Sequence, residues 1–289
     1  MTRTGSEHRA RRLRRALMLT LACSGTDAAR AFAQQPVSVS LRIEPPVGTT
    51  LRMRLDQRIE MSGTTRLPSG DSTTTAVTTL LVISRAYVER RDGEATVLLA
   101  STDSVSASST GADSAMVAGE LRRALQGKQV RLRVAPDGST EIVDGPSVVV
   151  PELNALFAQM PATLPTNAVE VGQRWSRVML APGQGEPTAK TGGRLNATFR
   201  LDSLSPSGDW AYVSITGALT RPASSRDGWS TLSMSGSVDG AFVLDRRRGW
   251  IRDARLAYTV RSVLAPSEGG SGAAMRFRMK VTQWMRAVP

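Results

Sequence analysis

From residue 49 the chain alternates with a period of two: Leu51, Met53, Leu55, Ile59 and Met61 fall on one side, Arg52, Arg54, Asp56, Arg58 and Glu60 on the other. Side chains of a strand point to opposite faces in turn, so this segment predicts a half-buried strand with one wet face. The threonine- and valine-rich TTTAVTTLLVISRAYVER follows, then EATVLLASTDSVSAS after the turn signal Arg91-Asp92-Gly93, and both predict strands. The period then changes. Asp113 or Ser114 caps a helix through Met116, Val117, Leu121, Ala124 and Leu125 that stops at Gly127. Val130, Leu132 and Val134, against Arg131 and Arg133, predict a strand ending at Pro136-Asp137-Gly138. Pro151 opens a second helix whose Leu153, Leu156, Phe157 and Met160 share one face, and Pro161 closes it. Both helices are short and amphipathic, so each needs the sheet to hold it.

Strands then resume and run to the end. Leu195, Ala197, Phe199 and Leu201 alternate with Arg194, Asn196, Thr198 and Arg200, ahead of the turn Pro206-Ser207-Gly208-Asp209. Leu232, Met234, Val238, Phe242 and Leu244 mark a long strand, with Gly236 and Gly240 at positions where a strongly bent sheet needs room. Met275, Phe277, Met279, Val281 and Met285 oppose Arg276, Arg278 and Lys280 in the last strand. Tight hairpin connections make the sheet antiparallel. Between the helical and the later strand segments lies PTNAVEVGQRWS, residues 165–176. It crosses in extended form from Pro165, turns at Gly172 and begins the second half of the sheet at Trp175. That tryptophan can close one end of a curved sheet, burying on the order of 200 Å², or meet a ligand. The fold predicted is mainly β (α+β): a curved antiparallel half-barrel sheet over 49–289, with amphipathic helices near 113–126 and 151–160 on its concave face. An extended segment, 34–48, precedes it.

The N-terminus changes the chemistry available to this fold. Five arginines between Arg9 and Arg15 precede the apolar run Ala16 to Cys23, and Ala31-Phe32-Ala33 supplies a small-x-small cleavage site. This is the layout of an export signal over residues 1–33, too short in its apolar part for a permanent membrane span. Leu19-Thr20-Leu21-Ala22-Cys23 also reads as a degraded lipobox with Cys23 as the acylated residue. Either way the mature chain works outside the cytoplasm, periplasmic or secreted, or as an outer-membrane lipoprotein. Cleavage removes the only cysteine, Cys23, and the only histidine, His8. The mature chain then has no cysteine nucleophile, no Ser-His-Asp triad, no His/Cys metal site and no disulfide framework.

Net charge is +12 for the whole chain; without the seven arginines and two acidic residues of 1–33 there remain 30 basic and 23 acidic groups. With only 4% aromatic residues and just Lys128, Lys190 and Lys280 as lysines, the basic excess follows an arginine-rich composition. It lacks the clustered cations and interleaved aromatics of a nucleic-acid surface, so no nucleic acid is expected. Phosphate-loop and serine-hydrolase patterns are absent from the sequence. Asp239, Asp245 and Asp253 are the carboxylates nearest one another in a hairpin, but none falls on an apolar face where acidity constants rise. The expectation is a protein that is not an enzyme and takes no cofactor.

Three segments carry a resemblance: Val134–Gly138 (VAPDG), Pro161–Trp175, and Gly236–Gly249 (GSVDGAFVLDRRRG). Together with the order of strands and helices they resemble an uncharacterised family of exported bacterial proteins and lipoproteins. By architecture that family is similar to the half-barrels of the lipoprotein-localisation factors LolA and LolB. The resemblance implies a curved sheet closed by helices over an apolar cavity, and it implies no reaction.

The candidate cavity follows from the apolar faces. Leu153, Leu156, Phe157 and Met160 form a lid, and Met53, Leu55, Phe242, Phe277 and Met279 a floor, in a chain whose methionines suit an adaptable pocket or an ordinary filled core. Arg246, Arg247 and Arg248 are candidate polar contacts at a hairpin tip, for lipid phosphates or an acidic partner, or a solvated turn. The partner expected is a lipid or a lipoprotein acyl chain. The alternative is a structural or protein-interaction module of the envelope with a filled core.

Overall fold

The computed structural model describes residues 38–67, 69–111, 114–144, 163–180, 193–225, 230–266 and 274–289, all within the compact unit Pro36–Pro289. The strands are β1 (Thr50–Leu67), β2 (Gly70–Asp92), β3 (Ala95–Ser109), β4 (Gln129–Val134), β5 (Thr140–Asp144), β6 (Arg174–Leu180), β7 (Arg194–Leu204), β8 (Trp210–Ser225), β9 (Ser230–Asp245), β10 (Trp250–Pro266) and β11 (Met275–Val288). The helix α1 (Ser114–Leu125) lies between β3 and β4. All the strands form one 11-stranded sheet in the order β5-β4-β3-β2-β1-β11-β10-β9-β8-β7-β6. Each neighbouring pair is antiparallel. The sheet does not close on itself: β5 and β6 are its edges. The expected mainly β antiparallel class holds. One helix is present among the described residues, and the predicted one at 151–160, with Leu153, Leu156, Phe157 and Met160, lies outside them.

Register carries one apolar face through the sheet. Met53, Leu55, Ile59 and Met61 of β1 stand opposite Ala287, Met285, Val281 and Met279 of β11. Met285, Val281 and Met279 in turn stand opposite Ala254, Tyr258 and Val260 of β10, which meet Phe242, Val238 and Gly236 of β9. Helix α1 lies on this face: its Leu125 and Ala124 pack with Leu80, Val82, Val105 and Ala107. Burial of that stripe holds a helix that would be marginal alone.

The lower end of the sheet, where the β2–β3, β4–β5, β7–β8 and β9–β10 turns lie, is filled from the same face. The predicted extended segment becomes part of the core here. Val39, Leu41 and Ile43 are buried among Val88, Leu98, Leu132 and Val134 from one half of the sheet and Leu201, Val213 and Leu244 from the other. Backbone bonds fix it at each step: Val39 N–H to Val169 O at 2.8 Å, Ile43 N–H to Pro136 O at 2.8 Å and Glu44 N–H to Gly249 O at 2.8 Å. Gly249 has φ 57°, and a Cβ there would lie 2.5 Å from Glu44 C and O, so only glycine allows this approach.

The crossing at 163–173 completes the closure. Thr163 and Leu164 both donate to Asp137 O at 2.9 Å, and Gly172 N–H reaches Leu201 O at 2.6 Å. Trp175 then stacks on Phe199 with centroids 5.7 Å apart and planes 9° from parallel, while its indole N–H donates to Thr163 O at 2.8 Å. The packing reading of Trp175 fits these contacts.

Candidate functional site

The apolar face above the filled end is less completely covered. Across β2 and β3 sits the Leu80–Val105–Leu125 cluster with α1. Across β8, β9 and β10 sits a second cluster, Leu219, Met234 and Val260, packed with Leu195, Leu232 and Met279. Between the two run β1 and β11, and there Met61 is 53% and Phe277 41% exposed. Phe277 lies over Gly63, its register partner, close enough that a Cβ at 63 would come within 3.3 Å of the ring.

The predicted floor residues share this face without forming one cluster. Met53 and Phe242 are buried, Phe242 inside the filled lower core. Leu55 and Met279 are half-buried. Phe277 pairs with Gly63, about 27 Å along β1 from Leu55 at strand rise. Phe277 therefore belongs to the uncovered upper zone, Met279 to the cluster that borders it, and Met53 and Phe242 to the packed end.

Arg246, Arg247 and Arg248 divide into different roles. Asp245 is buried and its Oδ1 accepts the N–H groups of Arg247 at 3.1 Å and Arg248 at 3.0 Å, which folds the turn back on its carboxylate. Arg246 ties this turn to the β7–β8 turn, its guanidinium donating to Gly208 O and its N–H to Asp209 O. Arg247 and Arg248 point outward, within 3.6 Å of Asp209 and 4.0 Å of Asp245 respectively. Beside them Arg252 lies 4.4 Å from the centroid of Trp210, in a hollow of about 640 Å³. Asp245→Ala leaves two turn N–H groups without their acceptor and is expected to cost about 1–3 kcal/mol, read from urea unfolding midpoints. Arg248→Gln, which removes an exposed guanidinium at the long distance of 4.0 Å from Asp245 and keeps the backbone N–H that Asp245 accepts, is expected to stay within about 0.5 kcal/mol of the parent.

The opposite face holds a larger hollow, about 960 Å³, and the sequence reading had no place for it. It crosses the strands from Asp239 of β9 past Arg255, Thr282, Trp284, Asp56, Arg58 and Thr79 to Ser106 and Ser108 of β3. At its centre the indole N–H of Trp284 donates to Asp253 at 2.8 Å. The guanidinium groups of Arg255 and Arg286 lie 4.7 and 4.2 Å from the ring centroid. The parity of β11 puts Trp284 in line with Arg278 and Lys280, so its side of the sheet was readable; its guanidinium neighbours come from another strand and from along its own.

The arginines at this hollow have carboxylate neighbours: Arg54 meets Asp56, Arg58 meets Glu60 and Arg255 meets Asp253. The hydrogen bond from Arg54, at 2.8 Å, holds the Asp56 carboxyl below its ordinary range, with burial opposing and the charge of Arg286 assisting. Asp239 and Asp253 stand opposite Ala257 and Val243, about 13 Å apart along the hairpin, so they form no acid–base pair. Among the described residues no three His, Cys, Asp or Glu side chains gather as a metal site would require.

Tyr258 lies on the apolar face, opposite Val281 and Val238. Burial pushes the Tyr258 phenol up from its ordinary value of 10.0, and a hydrogen bond with Gln57 partly offsets the rise. A raised folded value means that Tyr258's contribution is intact below pH 10 and is lost as pH rises through the folded value. Unfolding midpoints are therefore expected to fall above pH 10, and Tyr258→Phe is expected to flatten part of that fall.

No family model matches the sequence, and no curated protein matches it; the family resemblance rests on its short motifs alone. Among solved structures, lipovitellin superposes with a TM-score of 0.48 at 12% identity, over 85% of this chain and 26% of that one. An outer membrane channel from Pseudomonas putida F1 gives 0.25 at 11% identity, over 85% and 97%. An exported protein with a YmcC-like fold from Bacteroides fragilis gives 0.15 at 8%, over 82% and 97%. The chain spans about a quarter of the lipovitellin chain's length. Superpositions this loose at such low identity establish no shared role.

Proposed function

We propose that this is a non-catalytic, exported protein of the cell envelope that binds a lipid-like or other apolar molecule on the upper apolar face of its sheet. The observation that carries the reading is the zone between the two apolar clusters, where Met61 and Phe277 stand exposed on a face whose other large apolar side chains on β1, β10 and β11 are buried or half-buried. Large apolar side chains left in water on an inward face cost free energy unless something covers them. Methionine on this floor, at Met61, Met234, Met275 and Met279, adapts to ligands of varied shape. The export signal supports a periplasmic or secreted protein, or one tethered through Cys23.

Native mass spectrometry of the mature protein from its envelope fraction, followed by lipid extraction, tests this. A stoichiometric apolar molecule is expected, and uptake of added fatty acid is expected to fall about tenfold or more in Met61→Ser/Phe277→Ser. A bare protein that takes up neither fatty acids nor phospholipids would overturn it. The second reading, a structural or interaction module of the envelope, is favoured by the lower end, where residues 39–43 and 163–175 already fill the space between the halves of the sheet.

A further inference from the structure

We propose that the upper edge of the sheet's polar face docks on the surface of an anionic phospholipid bilayer through Arg261, Arg276 and Arg278, with Lys280 and Arg66 beside them. This goes beyond the apolar-ligand reading and does not require it. Arg261 of β10 stands directly opposite Arg278 of β11, an arrangement that is ordinarily repulsive in an antiparallel pair. The partners of Arg276 and Arg278 on the other side are Thr64 and Ser62 of β1, and the partner of Arg261 on β9 is Ser235. None of these supplies a carboxylate. Glu60, opposite Lys280, is already held by Arg58 at 2.9 Å.

Like-charged register pairs also occur elsewhere on the polar face, Arg52 with Arg85, Arg54 with Arg286 and Arg174 with Arg200, but there one member of each is held by a carboxylate. Lower down, Arg54 meets Asp56, Arg85 meets Asp103, Arg131 meets Glu89, Arg133 meets Asp92 and Arg200 meets Asp202, all within about 3 Å. Among the described residues no carboxylate lies within ion-pair distance of Arg261, Arg276 or Arg278, and all three side chains are exposed. Net positive charge is thus gathered at one edge: among the described residues, against the five cations named above stand only Glu60, held below its ordinary range by Arg58 first and by the charges of Lys280 and Arg278 after it, and Asp71, the register partner of Arg66.

That edge is also apolar. Val263, register partner of Arg276, is 37% exposed, and Phe277, between Arg276 and Arg278, is exposed on the opposite face with Met61. A soluble polyanion would use the cations alone. Cations interleaved with exposed Phe, Met and Val match a bilayer surface, where phosphates lie next to the boundary of the acyl chains. Each basic side chain near such a surface contributes attraction that salt weakens.

The test is co-sedimentation of the mature protein with vesicles of phosphatidylglycerol and phosphatidylcholine, against phosphatidylcholine alone, at low and high salt. Binding is expected to favour the anionic vesicles by about tenfold or more and to weaken as salt rises. R261Q/R276Q/R278Q is expected to lose about hundredfold in affinity. Its thermal midpoint is expected to be unchanged or higher, because a like-charge pair is removed. R247Q/R248Q, at the other end of the sheet, is expected to bind like the parent. Equal binding to both kinds of vesicle, parent-like binding by the triple variant, or binding to soluble polyphosphate without binding to vesicles would each overturn the proposal. Fatty-acid uptake by the triple variant without vesicles reads the apolar site separately: it is expected to match the parent whether or not docking survives.

Discussion

Gly240→Val is expected to destabilise the protein by about 3 kcal/mol or more, and to leave little folded material at ambient temperature. A Cβ at 240 would lie 2.2 Å from Arg255 O, 2.8 Å from Leu256 Cδ2 and 3.0 Å from Leu256 Cα. Two of those atoms are backbone, so no rotamer change relieves the overlap; β9 and β10 would have to separate. Gly236 repeats the arrangement, with Thr259 O at 2.3 Å. These glycines let β9 press against β10. Gly119 in α1 provides the control, since nothing lies within 4 Å of a Cβ there. Gly119→Ala is expected to raise stability by roughly 0.5–1 kcal/mol through helix propensity. Urea unfolding of the purified variants separates the two; a Gly240→Val protein with the parent's midpoint would remove the argument from close approach.

Phe199→Ala is expected to cost about 3–5 kcal/mol. The side chain is 1% exposed and sits in the filled core with Leu201, Val213 and Leu244. Its loss removes apolar burial and also the ring on which Trp175 stacks. Because the Trp175 indole also anchors Thr163, the effect should reach the crossing segment. Hydrogen exchange at Thr163 and Leu164, whose amides bond to Asp137 O, is expected to speed up more in Phe199→Ala than in Phe199→Leu. Equal protection in both variants would show that the crossing is held by its backbone bonds alone.

Period-two alternation made most of the strands legible, because a sheet with one wet face sorts residues such as Leu51–Met61 by parity. The helix at 114–125 was legible from its apolar spacing and its stop at Gly127. The anchoring role of Trp175 could be argued from its place after a glycine turn. Three things were not legible. The pairing of β1 with β11 depends on residues at opposite ends of the chain, and local patterns carry no address for a distant partner. Val39, Leu41 and Ile43 do alternate, yet their burial depends on both halves of the sheet meeting over them. The predicted floor joined Phe242 with Phe277 because both face inward; parity gives the face and says nothing of height along the strand, and height separates packed core from open surface.

The union of the first strand with the last bears on when this fold can exist. Arg52 is matched with Val288, and Leu55 with Met285, so the middle of the sheet is joined only after the final residues are available. A chain delivered across a membrane N-terminus first would present β1 with one side bare until β11 arrives, and β10 would wait in the same condition. Exposed strand edges recruit other strands, and pairings so distant in sequence form slowly. Loss of the last dozen residues to a protease would therefore do more than shorten the sheet. It would leave β1 and β10 with raw inner edges, and the two halves of the sheet would be joined only through the packed lower end.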